Sequence, residues 1–238
     1  MSRRRVQLVA AGRVPYDRAL AWQRTLAQAR IDGRLEEDLL LLLEHPPVVT
    51  LGRTARRGGA HVLRPEGVDV VEVERGGDVT FHGPGQLVGY PIFDLRGPPY
   101  RQDLHWYLRT LEDALIAALA ELGIPAERKT GYTGVWTGAG GGRKIASIGV
   151  HVKQWVTWHG FALNVTTDLA QFERIVPCGI PGVEMTSVER ETGKGKGETE
   201  LWNAAVAAIM LGFARAFDVE VTTSRTGVPE MRPTAAVS

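Results

Sequence analysis

The chain has 238 residues, 44% of them hydrophobic and 23% charged, which is ample for a packed core and rules out a wholly disordered chain. Twenty-eight Lys and Arg against 27 Asp and Glu leave a formal charge of +1. That balance gives no global field for nucleic acid or for an anionic membrane.

The start, Met1-Ser2-Arg3-Arg4-Arg5-Val6, is basic with no apolar run behind it, so it does not read as a signal peptide. No stretch reaches the ~18 to 20 unbroken apolar residues of a membrane helix. A first amphipathic helix is predicted over Tyr16–Ile31, with Ala19, Trp22, Leu26 and Ala29 spaced 3, 4 and 3 apart. Strand-like runs follow at 39–43, Val48–Leu51, 68–73 and 87–93. The second helix is the cleanest: Leu104, Leu108, Leu111, Leu115, Ala118 and Leu122 alternate steps of 4 and 3. Asp103 is placed to cap its start, and Gly123 with Pro125 ends it. Runs 144–152 and 155–165 alternate about a short turn at Lys153-Gln154 and read as a hairpin. A third helix spans roughly 199–217, with Leu201, Ala205, Ala208 and Leu211 on one face. Consecutive strands mixed with a few helices predict an α+β fold. One domain over 1–221 is expected, followed by a loosely held tail, 222–238.

Four segments stand apart in composition. Arg75, Gly76, Gly77, Asp78, Val79, Thr80, Phe81 and His82, continuing into Gly83-Pro84-Gly85-Gln86, read as a glycine-rich loop between two strands. Such a loop brings backbone N–H groups against a ligand, or is simply a turn-rich connection. Next, Gly138-Ala139-Gly140-Gly141-Gly142 leads into Arg143 and Lys144. Strict alternation puts Lys144 with Ala146, Ile148 and Val150, and Ile145 with Ser147, Gly149 and His151. Lys144 is then either a strand-end lysine reaching solvent or a desolvated lysine that exchanges protons in a pocket. In the third segment His159 is expected to face with Trp155, Phe161 and Leu163. Gly160 and Ala162 lie opposite, small enough to leave room for a narrow apolar ligand. The fourth presents Cys178, the one cysteine, in a Pro177-Cys178-Gly179 turn. It is either a small buried hydrophobe or a nucleophile, since a nearby ammonium favours a thiolate. One cysteine closes no internal disulfide and builds no thiolate cluster, and the histidines show no paired-ligand spacing. No metal is expected, and the cytosol is the expected compartment.

The run Arg75-Gly-Gly-Asp-Val-Thr-Phe-His-Gly-Pro-Gly-Gln-Leu-Val-Gly-Tyr-Pro91 closely resembles the signature of the lipoyl(octanoyl) transferases. So do Leu43-Glu44-His45-Pro46-Pro47-Val48-Val49-Thr50-Leu51-Gly52, Gly134-Val135-Trp136, Lys144-Ile145-Ala146-Ser147-Ile148-Gly149 and Pro177-Cys178-Gly179. These motifs stand in the family's order and cover the chain from about Val6 to Val221. The 138–142 run reads as a local insertion. The resemblance implies a mixed sheet flanked by helices, similar to the catalytic domains of lipoate and biotin protein ligases. It implies transfer of octanoyl from acyl carrier protein to a lysine on lipoyl domains of 2-oxoacid dehydrogenases or on the glycine-cleavage H protein. This is the first step of lipoate biosynthesis. By the same resemblance Cys178 is the thioester nucleophile and Lys144 its acid/base partner. Substrate contacts carry over to Arg75–His82, to Ser147, Ile148 and Gly149, and to Gly160, Phe161 and Ala162. A thioester donor is already activated, so no cofactor is expected, and turns such as Gly76-Gly77 or 147–149 offer N–H donors to an oxyanion. The alternative is an ATP-dependent lipoate or biotin ligase on the same fold. Against it, 75–82 lacks the Gly-Arg-Gly-Arg-x-Gly type loop of biotin ligases.

Overall fold

The computed structural model describes residues 3–55, 63, 67–193, 197–224 and 226–230. In chain order its elements are β1 (Arg4–Arg13), α1 (Tyr16–Ile31), β2 (Asp38–Glu44), β3 (Val48–Leu51), β4 (Asp69–Glu72), β5 (Val79–His82) and β6 (Gln86–Ile92). Then come α2 (Leu104–Glu121), β7 (Ala126–Glu127), β8 (Val135–Thr137), β9 (Arg143–Lys153) and β10 (Val156–Asn164). Two 3-10 turns follow at Leu169–Arg174 and Pro177–Gly179, before β11 (Glu184–Met185), α3 (Val188–Thr192), α4 (Glu198–Phe217) and β12 (Val219–Thr223).

Nine strands form one mixed sheet in the order β12-β1-β2-β6-β10-β9-β8-β7, with β11 beside β9, and β4-β3-β5 form a second sheet. This is the expected α+β arrangement, a mixed sheet flanked by helices. The five leucines of β2 show why its centre is stable. Leu40 and Leu42 point into the core shared with α2 and α4, and Leu39, Leu41 and Leu43 into the core under α1. A strand covered on both faces is apolar throughout. The carboxylate of Asp103 caps α2 by accepting from His105 and Trp106 N–H at 2.8 and 3.2 Å, an arrangement that stabilises a helix by about 1 kcal/mol. α4 is long and apolar enough by composition to cross a membrane, but Leu201, Ala205, Ile209, Phe213 and Phe217 are buried in the core against α2.

The small sheet is held to the rest by two apolar clusters. Tyr16 and Leu20 of α1 meet Val48 and Val73, while Val79 and Phe81 of β5 meet Phe172, Ile175 and Met185. The small sheet and the Pro177–Gly179 turn thus lie over the α1 face of β9 and β10.

Several local expectations change. Residues 79–82, read as loop, are a fully buried strand paired antiparallel to β3. β1 was not anticipated; its Val6 and Leu8 are core residues despite the basic start, and it pairs parallel with β2 and β12. The hairpin turn falls one residue later than predicted: Lys153 pairs with Val156, and Gln154 and Trp155 occupy it with φ of 48° and 62°. Positive φ at both central residues is the requirement of a tight type I′ hairpin. β12 continues to Thr223, two residues into the stretch assigned to the tail, and 225 and 231–238 lie outside the described residues.

Candidate active site

The orientation of Lys144 comes from an irregularity in β9. Val135 pairs with Ala146 but Trp136 with Lys144, so Ile145 is an extra residue in the ladder. A β-bulge of this kind breaks the alternation of side chains. Ile145 and Ala146 therefore both enter the core with α2 and α4, and Lys144 turns to the opposite face with Ser147 and Gly149. This corrects the strict alternation, which grouped Lys144 with Ala146 and Val150. Lys144 does not reach solvent; it is 1% exposed. Its Nζ donates to Cys178 Sγ at 3.0 Å and to the Thr133 carbonyl at 3.3 Å, and lies 5.2 Å from the centre of the Trp136 ring.

Cys178 is half-buried and sits in the left-handed region, φ 58° and ψ 18°. A non-glycine residue held there marks a backbone constrained by its surroundings. The turn is closed by Gly179 N–H to Val176 O at 2.9 Å and Ile180 N–H to Pro177 O at 3.0 Å. Ser147 Oγ is 3.8 Å from the sulfur. The thiol thus faces an ammonium and a hydroxyl across the gap between the turn and β9.

The same gap opens into a cavity of about 320 Å³, at the small end of ordinary ligand pockets. Its far wall carries Tyr16, His82, Tyr90 and His159, with His45 packed behind them: Tyr16 lies 5.0 Å from His45 and 5.9 Å from His82, and Tyr90 6.5 Å from His159. Hydrogen bonds fix the tautomers. His45 Nδ1 meets the Val14 carbonyl at 2.7 Å, so it carries the proton, and Nε2 accepts from Tyr90 Oη at 2.7 Å. Gln86 Nε2 donates to Asn164 Oδ1, leaving Gln86 Oε1 to accept from His82 Nδ1 at 2.8 Å. Burial holds His45 down to about 4, and holds His82 and His159 below the usual histidine range. Arg75 is buried beside them; its Nη2 donates to Thr50 O and Oγ1 at 2.7 and 2.8 Å. Burial also pushes the Tyr16 hydroxyl up to about 12.

Of the residues singled out from sequence, Cys178 and Lys144 meet directly. Arg75, Gly77, Asp78, Val79, Thr80 and His82 line the cavity, as do Ser147, Ile148, Gly149, Gly160, Phe161 and Ala162. Two do not. Phe81 points to the other side of β5, into the cluster with Phe172, because side chains alternate along a strand. Gly76 is spent on a backbone bond, its N–H donating to Val150 O at 2.8 Å, so it is not an oxyanion donor. The small residues also differ in purpose. A Cβ at Gly160 would lie 2.2 Å from Gly89 O, and one at Gly149 2.9 Å from Gly76 O. Both glycines permit close chain packing; Ala162 is the small side chain on this wall.

His159 does not share a face with Phe161 and Leu163. Its φ of 53° turns it within β10, and its N–H donates to Gln23 Oε1 of α1 at 2.9 Å. Tyr16, Tyr90 and Thr133 were missed as site residues. Tyr16 at the start of α1 and Tyr90 in β6 line the cavity, and only their convergence on His45 and His82 places them there.

A family model for the lipoyl protein ligase A/B catalytic domain matches residues 15–210. An octanoyltransferase of Gloeobacter violaceus is 54% identical over 197 residues, 78% of this chain and 86% of its own length. One from Geobacter sulfurreducens is 53% identical over 209 residues, 87% of this chain and 84% of its own. Among solved structures, a lipoate-protein ligase A bound with ATP gives a TM-score of 0.64 at 16% identity, over 95% of this chain and 90% of that one. A bipartite lipoate protein ligase of Thermoplasma acidophilum, described with its E2 lipoyl domain, gives 0.63 at 16% identity, over 95% and 88%. At such identities the two structures speak for the fold.

Proposed function

The chain belongs to the octanoyltransferases of the lipoyl protein ligase A/B catalytic family, and from that membership we propose a route for its reaction. It is an acyltransferase that moves octanoyl groups in lipoate biosynthesis. In our reading the donor is octanoyl-acyl carrier protein and Cys178 carries the acyl group as a thioester. The acceptors are lysines on lipoyl domains of 2-oxoacid dehydrogenases and on the glycine-cleavage H protein. The compartment we assign is the cytosol, where a lone thiol stays reduced.

One observation carries the route: the only sulfur nucleophile of the chain lies 3.0 Å from a buried lysine at the mouth of a cavity. The Cys178 thiolate attacks the donor carbonyl, and the tetrahedral adduct collapses by breaking the donor C–S bond. Lys144 gives its proton to the departing thiol and becomes a neutral amine. The acceptor lysine, as a free amine, then attacks the Cys178 thioester. Lys144 takes the proton that this nitrogen sheds as the amide forms, and Cys178 leaves as thiolate. Both residues return to their starting states. Splitting the transfer in two lets one proton carrier serve both halves.

Intact-mass measurement after mixing with octanoyl-acyl carrier protein, without ATP, should show one added octanoyl group that hydroxylamine removes. Cys178→Ser should gain none. Octanoyl transfer by Cys178→Ser at the wild-type rate would end the covalent route.

A further inference from the structure

Lys144 has a second partner besides the thiol, and that partner is itself held by a buried carboxylate. Glu112 lies on α2 with its side chain fully buried. Its Oε2 accepts from Arg109 Nη1 at 2.6 Å and Arg128 Nε at 2.9 Å, both arginines being partly exposed. Its Oε1 turns the other way and accepts the backbone N–H of Gly134 at 3.1 Å. That N–H and the Thr133 carbonyl belong to one peptide unit, and the Thr133 carbonyl accepts from Lys144 Nζ. The chain of contacts therefore runs from carboxylate to peptide to ammonium to sulfur.

A trans peptide is planar, with its N–H and C=O pointing in opposite directions. Fixing one end fixes the other. With Glu112 on the N–H, the carbonyl must face Lys144; a flipped peptide would aim an N–H at the ammonium and set a buried carboxylate against a carbonyl. The negative charge also polarises the peptide and strengthens its carbonyl as an acceptor. Gly134 makes the orientation accessible. Its φ is +132°, and a Cβ there would fall 2.8 Å from Lys144 Cε and 2.7 Å from Ala146 O. The lysine stem is thus packed against the same peptide that its ammonium hydrogen-bonds.

We propose that Glu112 is a positioning residue for the reaction: through the Thr133–Gly134 peptide it holds Lys144 Nζ against Cys178 Sγ. The inference rests on the lysine–cysteine reading given above. It differs from a purely structural role, in which Glu112 would only pin Arg109 and Arg128 beside α2.

The test is a double-mutant cycle between Glu112→Gln and Lys144→Met, read by single-turnover acylation with octanoyl-acyl carrier protein and by iodoacetamide alkylation of Cys178 at pH 7. Misplacing a reacting group by about 1 Å costs on the order of a hundredfold. Glu112→Gln should therefore slow acylation roughly tenfold to a hundredfold, with the donor KM within about twofold, and slow alkylation in parallel. In the Lys144→Met background the same substitution should change neither rate, since its effect passes through Lys144. If Glu112→Gln is too unstable to purify, Glu112→Asp keeps the charge, withdraws the carboxylate by one methylene and enters the same cycle. The inference is overturned if a Glu112 variant melts earlier yet acylates at the wild-type rate, or if its effect multiplies with that of Lys144→Met. Wild-type rates for Lys144→Met alone would remove the dyad, and this inference with it.

Discussion

On one wall of the cavity, Lys144 is buried but has the Cys178 sulfur at 3.0 Å and a peptide carbonyl backed by Glu112. On the facing wall His82 and His159, with His45 packed behind His82, are buried to a similar degree. For His45 and His82 the hydrogen-bond partners at the ring nitrogens are neutral: the Val14 carbonyl, Tyr90 Oη, Gln86 Oε1 and Thr50 Oγ1. Burial penalises the charged form of these rings. The lysine has a sulfur and a polarised carbonyl as partners, whereas His45 and His82 have neutral dipoles; His159 differs, with the Glu74 carboxylate 3.7 Å from its Nε2. Depth in the protein therefore does not decide which residues move protons. The partners do, and on the proposed route it is Lys144 that carries the proton while His82 is held by Gln86 and Thr50.

The difference is broken most forcefully at Lys144. Lys144→Met keeps much of the length and removes the charge beside Cys178. General acid–base partners contribute roughly 10² to 10⁴ in rate, so octanoyl transfer should fall by at least a hundredfold. Alkylation of Cys178 at pH 7 should slow as well. Equal alkylation rates for wild type and Lys144→Met would show that the lysine wall has no influence on the thiol, and the contrast between the walls would collapse.

Acid probes the other wall. His45 drops from an ordinary 6.5 to about 4 in the folded protein, so between these values the unfolded chain binds the extra proton. A histidine depressed in this way contributes stability above pH 6.5 that is lost as the pH falls toward 4. The gap corresponds to about 3 kcal/mol for His45 alone. His82 and His159 are displaced in the same direction and add to it. The melting temperature should fall steeply from pH 6.5 to 4. His45→Gln can still donate to Val14 O and accept from Tyr90 Oη, and should flatten that fall. A slope unchanged by His45→Gln would mean that His45 is not what acid attacks.

Much of this arrangement is legible in the sequence wherever one physical signal dominates. The predicted helices α1, α2 and α4 agree with the observed ones to within about a residue, although Leu211, grouped by spacing with Leu201, Ala205 and Ala208, and Leu104 at the start of α2 are exposed. β5 alternates apolar Val79 and Phe81 with polar Thr80 and His82, but it is only four residues long, is set among glycines and buries its polar face too, so it reads as loop. The faces of Lys144 and His159 were misread for a common reason. Alternation assumes a regular strand, and a bulge at Ile145 and a positive φ at His159 each reset it. No periodicity encodes such resets. Glu112 did leave a trace: it stands four residues after Leu108 and three before Leu115, on the edge of the α2 core stripe, where a carboxylate needs partners.

The smallest expected effect concerns Ala162, which the proposed route places against the acyl chain. Ala162 is buried beside Val88 and Tyr90 and lines the cavity. Ala162→Phe fills space in the cavity from β10, next to Ser147 on β9. Each methylene denied burial costs about 0.8 kcal/mol, which is roughly fourfold in kcat/KM. Losing room for two methylenes should shift the preference for octanoyl over hexanoyl donors by about fifteenfold toward the shorter chain. Overpacking itself destabilises by roughly 1 to 3 kcal/mol, so a melting curve must accompany the kinetics. A hexanoyl donor reports on the reacting wall alone, and its acylation rate should stay close to that of wild type. If Ala162→Phe slows hexanoyl and octanoyl donors equally, the added ring has disturbed the dyad and the two walls are not separable. If the ratio does not move at all, the acyl chain lies elsewhere in the cavity and Ala162 is only packing.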